Sequence, residues 1–341
     1  MNTTPLTDTL AATARALLAP GKGLLAADES FPSIEKLFKR LSIDSTEENR
    51  RAYREMLFTT PELEKAISGV ILFDETIRQK VAGVLVPDFL AKLGIIPGIK
   101  VDKGAIAMPG FPGEKFTTGL DGLRERLAEY RQLGARFTKW RAVIDIGEGL
   151  PTCASIQANA QQLALFAGLC QEAGLVPIVE PEVIMDGTHT IDRCEEVIRV
   201  TLDTVFEALI ANRVALEGMI LKSGMVLSGS TCPQQASVEE VAIATLRVFR
   251  RTVPAAVPGI VFLSGGQSNE LATERLNAIC KLVNAPWTIT FSYGRALQAP
   301  ALNAWKGIAA NVAAGQKELH KRAKCNGLAA LGKYSADQER A

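Results

Sequence analysis

The stretch Gly23-Leu24-Leu25-Ala26-Ala27 is an unbroken apolar run of strand length, and it ends at the carboxylate of Asp28. Apolar residues that do not alternate with polar ones are typical of a strand in a parallel sheet covered on both faces. Seven further runs follow at fairly even intervals: residues 69–73, 98–101, 137–144, 175–179, 218–221, 259–263 and 288–291. The sequence therefore predicts eight strands of one parallel sheet.

Helical patterns lie between these runs. Ser45 and Ser237 each have a glutamate three residues later, the S-x-x-E form of a capping box, and each precedes apolar residues at helical spacing. Residues 197–210 show the same spacing. The repeating unit is about 34 residues long, the size of a strand with its helix and loops.

Eight strand–helix units favour an α/β fold, a (β/α)8 TIM barrel in a single domain. A doubly wound open sheet would also alternate strands and helices, but no nucleotide-binding glycine loop follows the first strand. We expect an N-terminal helical segment at residues 1–22, the barrel at 23–320 and a loosely held C-terminal tail at 321–341.

The composition is that of an ordinary globular chain, with 341 residues, 47% hydrophobic and 22% charged. A net charge of +1 gives no broad positive field for nucleic acid, and no window approaches the roughly 18 apolar residues of a membrane span. Residues 6–18 are interrupted by Asp8 and Arg15 and predict a short amphipathic helix rather than a secretory leader. We expect a cytoplasmic protein with neither nucleic-acid nor membrane partners.

The six cysteines lie far apart and form no C-x-x-C pair, which indicates reduced, mostly buried thiols rather than a zinc or redox motif. The chain has two histidines: His189 follows the loop after the fifth run and His320 lies near the C-terminal tail, and we expect neither to lie beside the charged residues described next. We therefore expect no metal and no cofactor.

Charged residues stand where the apolar runs end, which is where barrel enzymes place their reactive groups. They are Asp28, Asp102, Lys103, Lys139, Arg141, Glu180, Glu182 and Lys222. Side chains two apart in a strand share a face, so Lys139 should point inward with Arg141, and Glu180 with Glu182. Any one of these charges could form a structural ion pair, but enclosing so many is costly, and the cluster indicates a functional site.

The cluster has more cations than carboxylates once the cation after the eighth run is included. Five cations, Lys103, Lys139, Arg141, Lys222 and Arg295, face three carboxylates, Asp28, Glu180 and Glu182. The seventh run ends in Ser264-Gly265-Gly266, whose backbone amides could point at an oxyanion, and the eighth leads to Gly294-Arg295. Because these two loops are the usual phosphate cradle of the fold, the ligand is expected to be an anion.

Lys222 closes the apolar segment at residues 219–221. A lysine shielded from water beside another cation gives up its proton more easily and becomes an amine nucleophile, as Schiff-base lysines do. The alternative is a lysine that reaches solvent or pairs with Glu180. Glu180 and Glu182 could divide the work, one acting as acid or base and the other orienting a neighbour.

The order of these motifs resembles that of class I fructose-1,6-bisphosphate aldolases. The resemblance runs from about Thr7 to Tyr334, and its segments are 23–30 (GLLAADES), 46–51 (TEENRR), 69–73 (GVILF), 100–104 (KVDKG), 139–141 (KWR), 176–182 (VPIVEPE), 263–268 (LSGGQS) and 291–298 (FSYGRALQ). It implies reversible, metal-independent cleavage of fructose 1,6-bisphosphate to dihydroxyacetone phosphate and glyceraldehyde 3-phosphate, a step of glycolysis and gluconeogenesis. It also implies a homotetramer.

The resemblance implies a role for each site residue. Lys222 would form the imine with the C2 carbonyl, and Glu180 would be the general acid and base. Asp28 and Lys139 would position the reacting oxygens, while Glu182 would orient the amines. The phosphate-binding candidates are Ser264, Gly265, Gly294 and Arg295 at one end of the substrate and Ser33, Lys36, Lys103 and Arg141 toward the other.

Three positions depart from the family pattern. Leu37 stands where many members have arginine, although Arg40 could cover the same helix face. Ser223-Gly224 stands where a proline commonly follows the reactive lysine. Animal members end in a tyrosine that protonates the enamine, whereas Tyr334 lies before such a tail, so the group that protonates C3 stays open.

Two other functions stay open at this stage. The same site could serve a related sugar phosphate, such as fructose 1-phosphate or sedoheptulose 1,7-bisphosphate. The barrel could also be a non-catalytic scaffold, although a scaffold has no need for so many costly pocket charges.

Overall fold

The computed structural model describes residues 4–340 and contains a closed barrel of eight parallel strands, labelled β1 to β8 in chain order. They are β1 Gly23–Ala27, β2 Ile67–Leu72, β3 Ile96–Lys100, β4 Phe137–Ile144, β5 Val176–Val183, β6 Ile220–Ser223, β7 Gly259–Phe262 and β8 Thr288–Tyr293. Each strand pairs with its neighbours in sequence, and β8 pairs with β1 to close the barrel. The predicted (β/α)8 TIM barrel is confirmed, and a strand lies at each of the eight apolar runs.

Helices alternate with these strands. They are α1 Thr4–Leu17, α2 Phe31–Lys39, α3 Glu47–Phe58, α4 Asp74–Ile77, α5 Val86–Lys92, α6 Leu123–Gln132, α7 Cys153–Glu172, α8 Ile191–Ala211, α9 Val238–Thr252, α10 Asn269–Leu282, α11 Arg295–Trp305 and α12 Val312–Ala330. Short hairpins extend the loops after β2 and β3. None of the helices between residues 4 and 340 combines the length and the apolar character that crossing a bilayer requires.

One of the two predicted capping boxes is present and the other is wrong by one residue. Ser237 caps α9, because its hydroxyl accepts from the backbone N–H of Glu240 at 3.2 Å and Glu240 accepts in return at 2.8 Å. In α3 the cap is Thr46, whose hydroxyl accepts from the N–H of Asn49 at 3.2 Å. Thr46 has the extended backbone conformation of an N-cap residue. Ser45, the predicted cap, therefore lies one residue before the cap.

The inward-facing side chains change from apolar to charged along the strands. Phe137, Ile178 and Ile220 belong to an apolar cluster inside the barrel. Two residues further along the same three strands, Lys139, Glu180 and Lys222 take the inward position. The lower barrel is therefore a packed core, and the charges gather at the carboxyl ends of the strands.

Helix α1 covers the opposite end of the barrel. Its residues Leu10, Ala14 and Leu17 are buried in the same apolar cluster as the inward side chains of the strands. The predicted amphipathic helix near the N-terminus is thus confirmed. Packing here is close, since a Cβ atom built on Gly98 would lie 2.3 Å from the Phe137 ring.

The end of the chain differs from the loosely held tail expected from residue 321. Helix α12 runs through that position, and Tyr334 beyond it is 6% exposed. The Tyr334 hydroxyl donates to Glu339 Oε1 at 3.0 Å, and Glu339 also pairs with the buried Arg322. The expectation failed because the polar composition of this segment does not reveal that a buried arginine provides an anchor for it.

Candidate active site

An open cavity of about 680 Å³ lies at the carboxyl ends of the barrel strands. The predicted site residues that line it are Asp28, Ser33, Lys36, Lys139, Arg141, Glu180, Glu182, Lys222, Ser264, Gly265, Gly294 and Arg295. These residues come from both halves of the chain, and the barrel brings them together because parallel strands all end on one face.

Lys103 is the predicted site residue that does not line this cavity. It is exposed, whereas Lys100 at the end of β3 does line it and pairs with Asp102 at 2.7 Å. The period of two along the strand explains the error, because Lys100 and Asp102 share one face and Lys103 points to the other. The same period, read from Lys100 onward, could have identified the correct lysine.

Four charged side chains form a continuous chain of ion pairs in the cavity. Lys139 Nζ lies 2.6 Å from Asp28 Oδ2 and 3.5 Å from Glu180 Oε2. Lys222 Nζ lies 3.1 Å from Glu180 Oε1. Lys139, Glu180 and Lys222 are almost fully buried, so each ammonium group has a fixed carboxylate partner and little access to bulk water. Glu180 contacts both ammonium groups and is placed to exchange a proton with either.

The surroundings of Asp28 and Lys139 hold both groups in their charged forms. Burial by itself raises the pKa of Asp28, but the ammonium groups of Lys139 and Lys222 outweigh it and hold that pKa below its ordinary value. Burial by itself lowers the pKa of Lys139, whereas the carboxylates of Asp28 and Glu180 raise it well above its ordinary value. Lys139 therefore stays cationic at neutral pH.

Glu182 contacts Arg141 rather than the two lysines. Arg141 Nε donates to Glu182 Oε2, and this carboxylate raises the pKa of Arg141 against the lowering effect of burial. The resemblance had implied that Glu182 orients the amines. In the structure its ion-pair partner is Arg141, whose half-exposed side chain lies at the mouth of the cavity.

Two cations of the cavity are available to an incoming anion. Across residues 4–340, neither Lys36 nor Arg295 has a carboxylate within 4.0 Å. Leu37 packs against the core next to Lys36, and Arg40 is exposed and does not line the cavity. In total the cavity has six cations and five carboxylates, a positive excess of one.

The loop after β7 contains two adjacent glycines, Gly265 and Gly266, in a restricted setting. Gly265 has φ +52°, in the left-handed region where glycine is favoured. A Cβ atom on Gly266 would lie 2.7 Å from Met185 Sδ, so a larger residue here would require the Met185 side chain to move. The Gly266 N–H donates to that sulfur at 2.9 Å.

Several cavity residues were missed by the sequence reasoning: Glu29, Ser30, Lys100, Leu263 and Ser292. Ser292 is buried in β8, and its hydroxyl has no hydrogen-bond partner in the described part of the chain, which leaves it free to bind a ligand. Ser292 stands two residues before the predicted Gly294 at the end of the eighth run, and this position is the signal that could have found it.

Metal-ligating side chains do not gather in the described structure. Within residues 4–340, no three His, Cys, Asp or Glu side chains form a group that could hold a metal ion. His189 follows β5 and His320 lies on α12, and neither lines the cavity.

Comparison with known proteins gives one consistent result. The family model described as "Fructose-bisphosphate aldolase class-I", of the glycolytic type, matches residues 9–341. A "Probable fructose-bisphosphate aldolase class 1" of Xanthomonas campestris is 59% identical over 95% of this chain and 98% of that protein. The human "Fructose-bisphosphate aldolase C" is 51% identical over 95% of this chain and 90% of that protein.

A solved structure supports the same assignment. The fructose-bisphosphate aldolase from Plasmodium falciparum, solved in complex with TRAP and a small-molecule inhibitor, matches with a TM-score of 0.96. The two chains are 50% identical, and the match covers 98% of this chain and 97% of the other. With these matches over nearly the whole chain, the protein is an enzyme of the aldehyde-lyase class, and it belongs to the class-I fructose-bisphosphate aldolase family.

Proposed function

We propose that this aldolase cleaves fructose 1,6-bisphosphate through an imine between Lys222 and the C2 carbonyl of the sugar. The observation that carries the proposal is the position of Lys222, whose Nζ is buried at the centre of the cavity and lies 3.1 Å from Glu180. An iminium is an electron sink, so it stabilises the carbanion that forms as the C3–C4 bond breaks. An unaided ketone does this poorly.

Glu180 is proposed to move the protons of imine formation. Lys222 has to lose a proton before it attacks, and Glu180 Oε1 is the acceptor within reach. The hydroxyl that forms at C2 must then leave as water, which requires a proton from an acid. Pairing of Lys222 with Glu180 was the alternative to a nucleophilic role, but the two are compatible because the pair places the base beside the nucleophile.

Lys139 and Asp28 are proposed to bind the oxygen atoms that gain or lose charge. Lys139 stays protonated and faces the gap between Asp28 and Glu180, so it can stabilise an oxyanion without giving up its proton. Asp28 holds that ammonium group in place and can accept a hydrogen bond from a sugar hydroxyl. Arg295 and the amides of the Ser264–Gly265 loop are proposed for one phosphate, and Lys36 with Ser33 for the other.

Borohydride trapping tests the proposal directly. The enzyme with fructose 1,6-bisphosphate and borohydride should acquire a stable mass adduct on the peptide that contains Lys222, and activity should fall in parallel. The Lys222→Met variant should show neither adduct nor turnover. Full activity with unchanged mass, or loss of activity on adding a chelator, would contradict the imine mechanism. A folded wild-type protein with no turnover at all would favour the scaffold alternative.

The range of substrates is proposed to be broader than one sugar bisphosphate. Leu37 gives no charge to the second phosphate, which leaves Lys36 as the unpaired cation on that side. We expect kcat/KM for fructose 1-phosphate to approach that for fructose 1,6-bisphosphate more closely in the wild type than in Leu37→Arg. Equal ratios in the two proteins would show that position 37 does not affect the choice of substrate.

Assembly and location are further proposals. We propose a homotetramer in the cytoplasm, on the basis of the family and of exposed apolar side chains such as Ile210 and Ile243 on outer helices. The six cysteines are all free, as is usual in a reducing compartment. Light scattering of the purified protein at micromolar concentration gives the mass of the assembly.

A further inference from the structure

Arg275 on α10 is a buried arginine without a carboxylate partner. Its side chain belongs to a residue that is 6% exposed, and among residues 4–340 no Asp or Glu oxygen lies within 4.0 Å of its nitrogens. The two other deeply buried arginines differ, because Arg54 pairs with Glu29 and Arg322 pairs with Glu339. An unpaired buried charge is costly, so its retention calls for a role that offsets the cost.

The contacts of Arg275 lead to the loop after β7. Its Nη1 donates to Gln267 Oε1 at 2.9 Å, while its Nε has no partner in the described structure. Gln267 is equally buried, and its Nε2 donates to the carbonyl oxygen of Ser264 at 3.2 Å. The backbone N–H of Gln267 donates to the same oxygen at 3.2 Å. The Ser264 carbonyl is thus held from behind by Gln267, and Gln267 is held by Arg275.

The orientation of that carbonyl decides where the next amide points. In a trans peptide unit the C=O of one residue and the N–H of the next point in opposite directions. Since the Ser264 oxygen is turned toward Gln267, the N–H of Gly265 is turned the other way, and Gly265 lines the cavity. The charge of Arg275 also lies behind this loop, where no carboxylate of the described chain neutralises it.

We propose that Arg275 is a positioning residue for phosphate binding, which acts through Gln267 to aim the Gly265 amide at the substrate phosphate and adds its own uncompensated charge to the loop. This inference rests on the proposed function, because it takes the Ser264–Gly265 loop as the phosphate site. Arg275 does not touch the substrate, so its effect belongs to affinity rather than to the chemical step.

The test compares Arg275→Met, Arg275→Lys and Gln267→Leu with the wild type. We expect Arg275→Met to raise the KM for fructose 1,6-bisphosphate and the Kd of inorganic phosphate about tenfold, which corresponds to about 1.4 kcal/mol. Because the phosphate is bound equally before and during reaction, kcat should stay within about twofold. Arg275→Lys, which keeps the charge and a donor, should recover most of the affinity.

A matched control is Gln171→Leu. Gln171 is also a buried glutamine that bonds a loop backbone, at 2.7 and 2.9 Å to Ala215, but that loop precedes β6 at the other end of the barrel. The Gln171→Leu variant should leave the KM for fructose 1,6-bisphosphate and the affinity for inorganic phosphate unchanged. Thermal unfolding separates positioning from a merely structural role, because replacing an unpaired buried charge with methionine should keep Tm or raise it while phosphate affinity falls.

Phosphate binding is followed by calorimetry with inorganic phosphate alone, so it does not depend on turnover. An unchanged Kd and KM in folded Arg275→Met would overturn the inference, and so would equal losses in Gln171→Leu. Failure of the proposed function has a different signature, namely a wild-type enzyme that forms no adduct on Lys222.

Discussion

Glu180 uses its two carboxylate oxygens for two different lysines. Oε1 is 3.1 Å from Lys222 and Oε2 is 3.5 Å from Lys139. Since Lys139 is held protonated by Asp28 and Glu180, the proton that Lys222 would lose in the proposed mechanism has the carboxylate of Glu180 as its nearby acceptor. In the proposed mechanism this arrangement separates the amine that stabilises charge, Lys139, from the amine that reacts, Lys222.

The Glu180→Gln variant tests this division of roles. A neutral amide keeps the shape and a hydrogen bond but cannot accept the proton, so we expect the rate of imine formation to fall by about 10²- to 10⁴-fold. Rapid quenching with borohydride measures that rate. Glu182→Gln is the matched control. It should lower the rate of imine formation much less, because Glu182 pairs with Arg141. Similar losses in the two variants would contradict the assignment of Glu180.

The Asp28–Lys139 pair predicts a pH-dependent contribution to stability. The pKa of Asp28 is lower in the folded protein than in the unfolded chain, so its stabilising effect is fully present above about pH 4 and is lost as the pH falls through the folded value. Asp28→Asn leaves Lys139 with Glu180 alone and should cost about 3 kcal/mol at pH 7.

Urea unfolding at a series of pH values measures this effect. The difference between wild type and Asp28→Asn should be constant from pH 5 to 8 and should narrow below about pH 4. The control is Asp203→Asn, which removes the partner of Arg199 in an exposed ion pair. Its free energy of unfolding should equal that of the wild type within experimental error. If the difference in unfolding free energy between wild type and Asp28→Asn grew as the pH fell, the predicted direction of the pH dependence would be wrong.

At the level of single residues, the sequence predicted which charges line the cavity where a charge lay in or after an apolar run, and it failed where the end of the run was misjudged. Lys139, Glu180 and Lys222 were found because each is a charged residue within or directly after an apolar run. Lys100 was missed because the third run was taken to end at Val101, which moved attention to Lys103. Arg275 had no signal at all, since its contact with Gln267 depends on the packing of α10.

At the level of elements, strand positions were predictable and strand ends were not. The fifth run was expected to stop at residue 179, but β5 continues to Val183 through Glu180, Pro181 and Glu182. Local composition favours a loop there, since charged residues and proline weaken a strand. The strand continues because both glutamates face the cavity and because β4 pairs with it over the whole length.

Helix α3 gives a prediction at this scale. Thr46 caps the helix through the N–H of Asn49, so Thr46→Ala should lower the free energy of unfolding by about 1 kcal/mol. Ser45→Ala should have little effect, because Ser45 precedes the cap and its carbonyl, not its side chain, binds Arg50. Chemical denaturation measures the free energy of unfolding of both variants. A larger loss of stability for Ser45→Ala than for Thr46→Ala would mean that Ser45 caps the helix, as the sequence had indicated.

At the level of the whole molecule, the two ends of the barrel have separate tasks. The carboxyl ends of the strands carry the charges and the open cavity, whereas α1 packs against the amino end with apolar side chains. Between the two lies the apolar interior that contains Phe137 and Ile178. Substitutions at the amino end should therefore change stability without changing the affinity for substrate.

Leu17 at the end of α1 tests this separation. It is fully buried against the interior cluster, and truncation to alanine should leave a cavity that costs about 3 kcal/mol of unfolding free energy. Leu6→Ala on the exposed side of the same helix should change stability by less than about 0.5 kcal/mol.

Denaturant unfolding gives the stability, and steady-state kinetics at 25 °C should give the same KM and kcat for both variants as for the wild type. A rise in KM for Leu17→Ala in the folded enzyme would mean that the two ends are coupled through the barrel interior, because none of the described side chains of α1 lines the cavity.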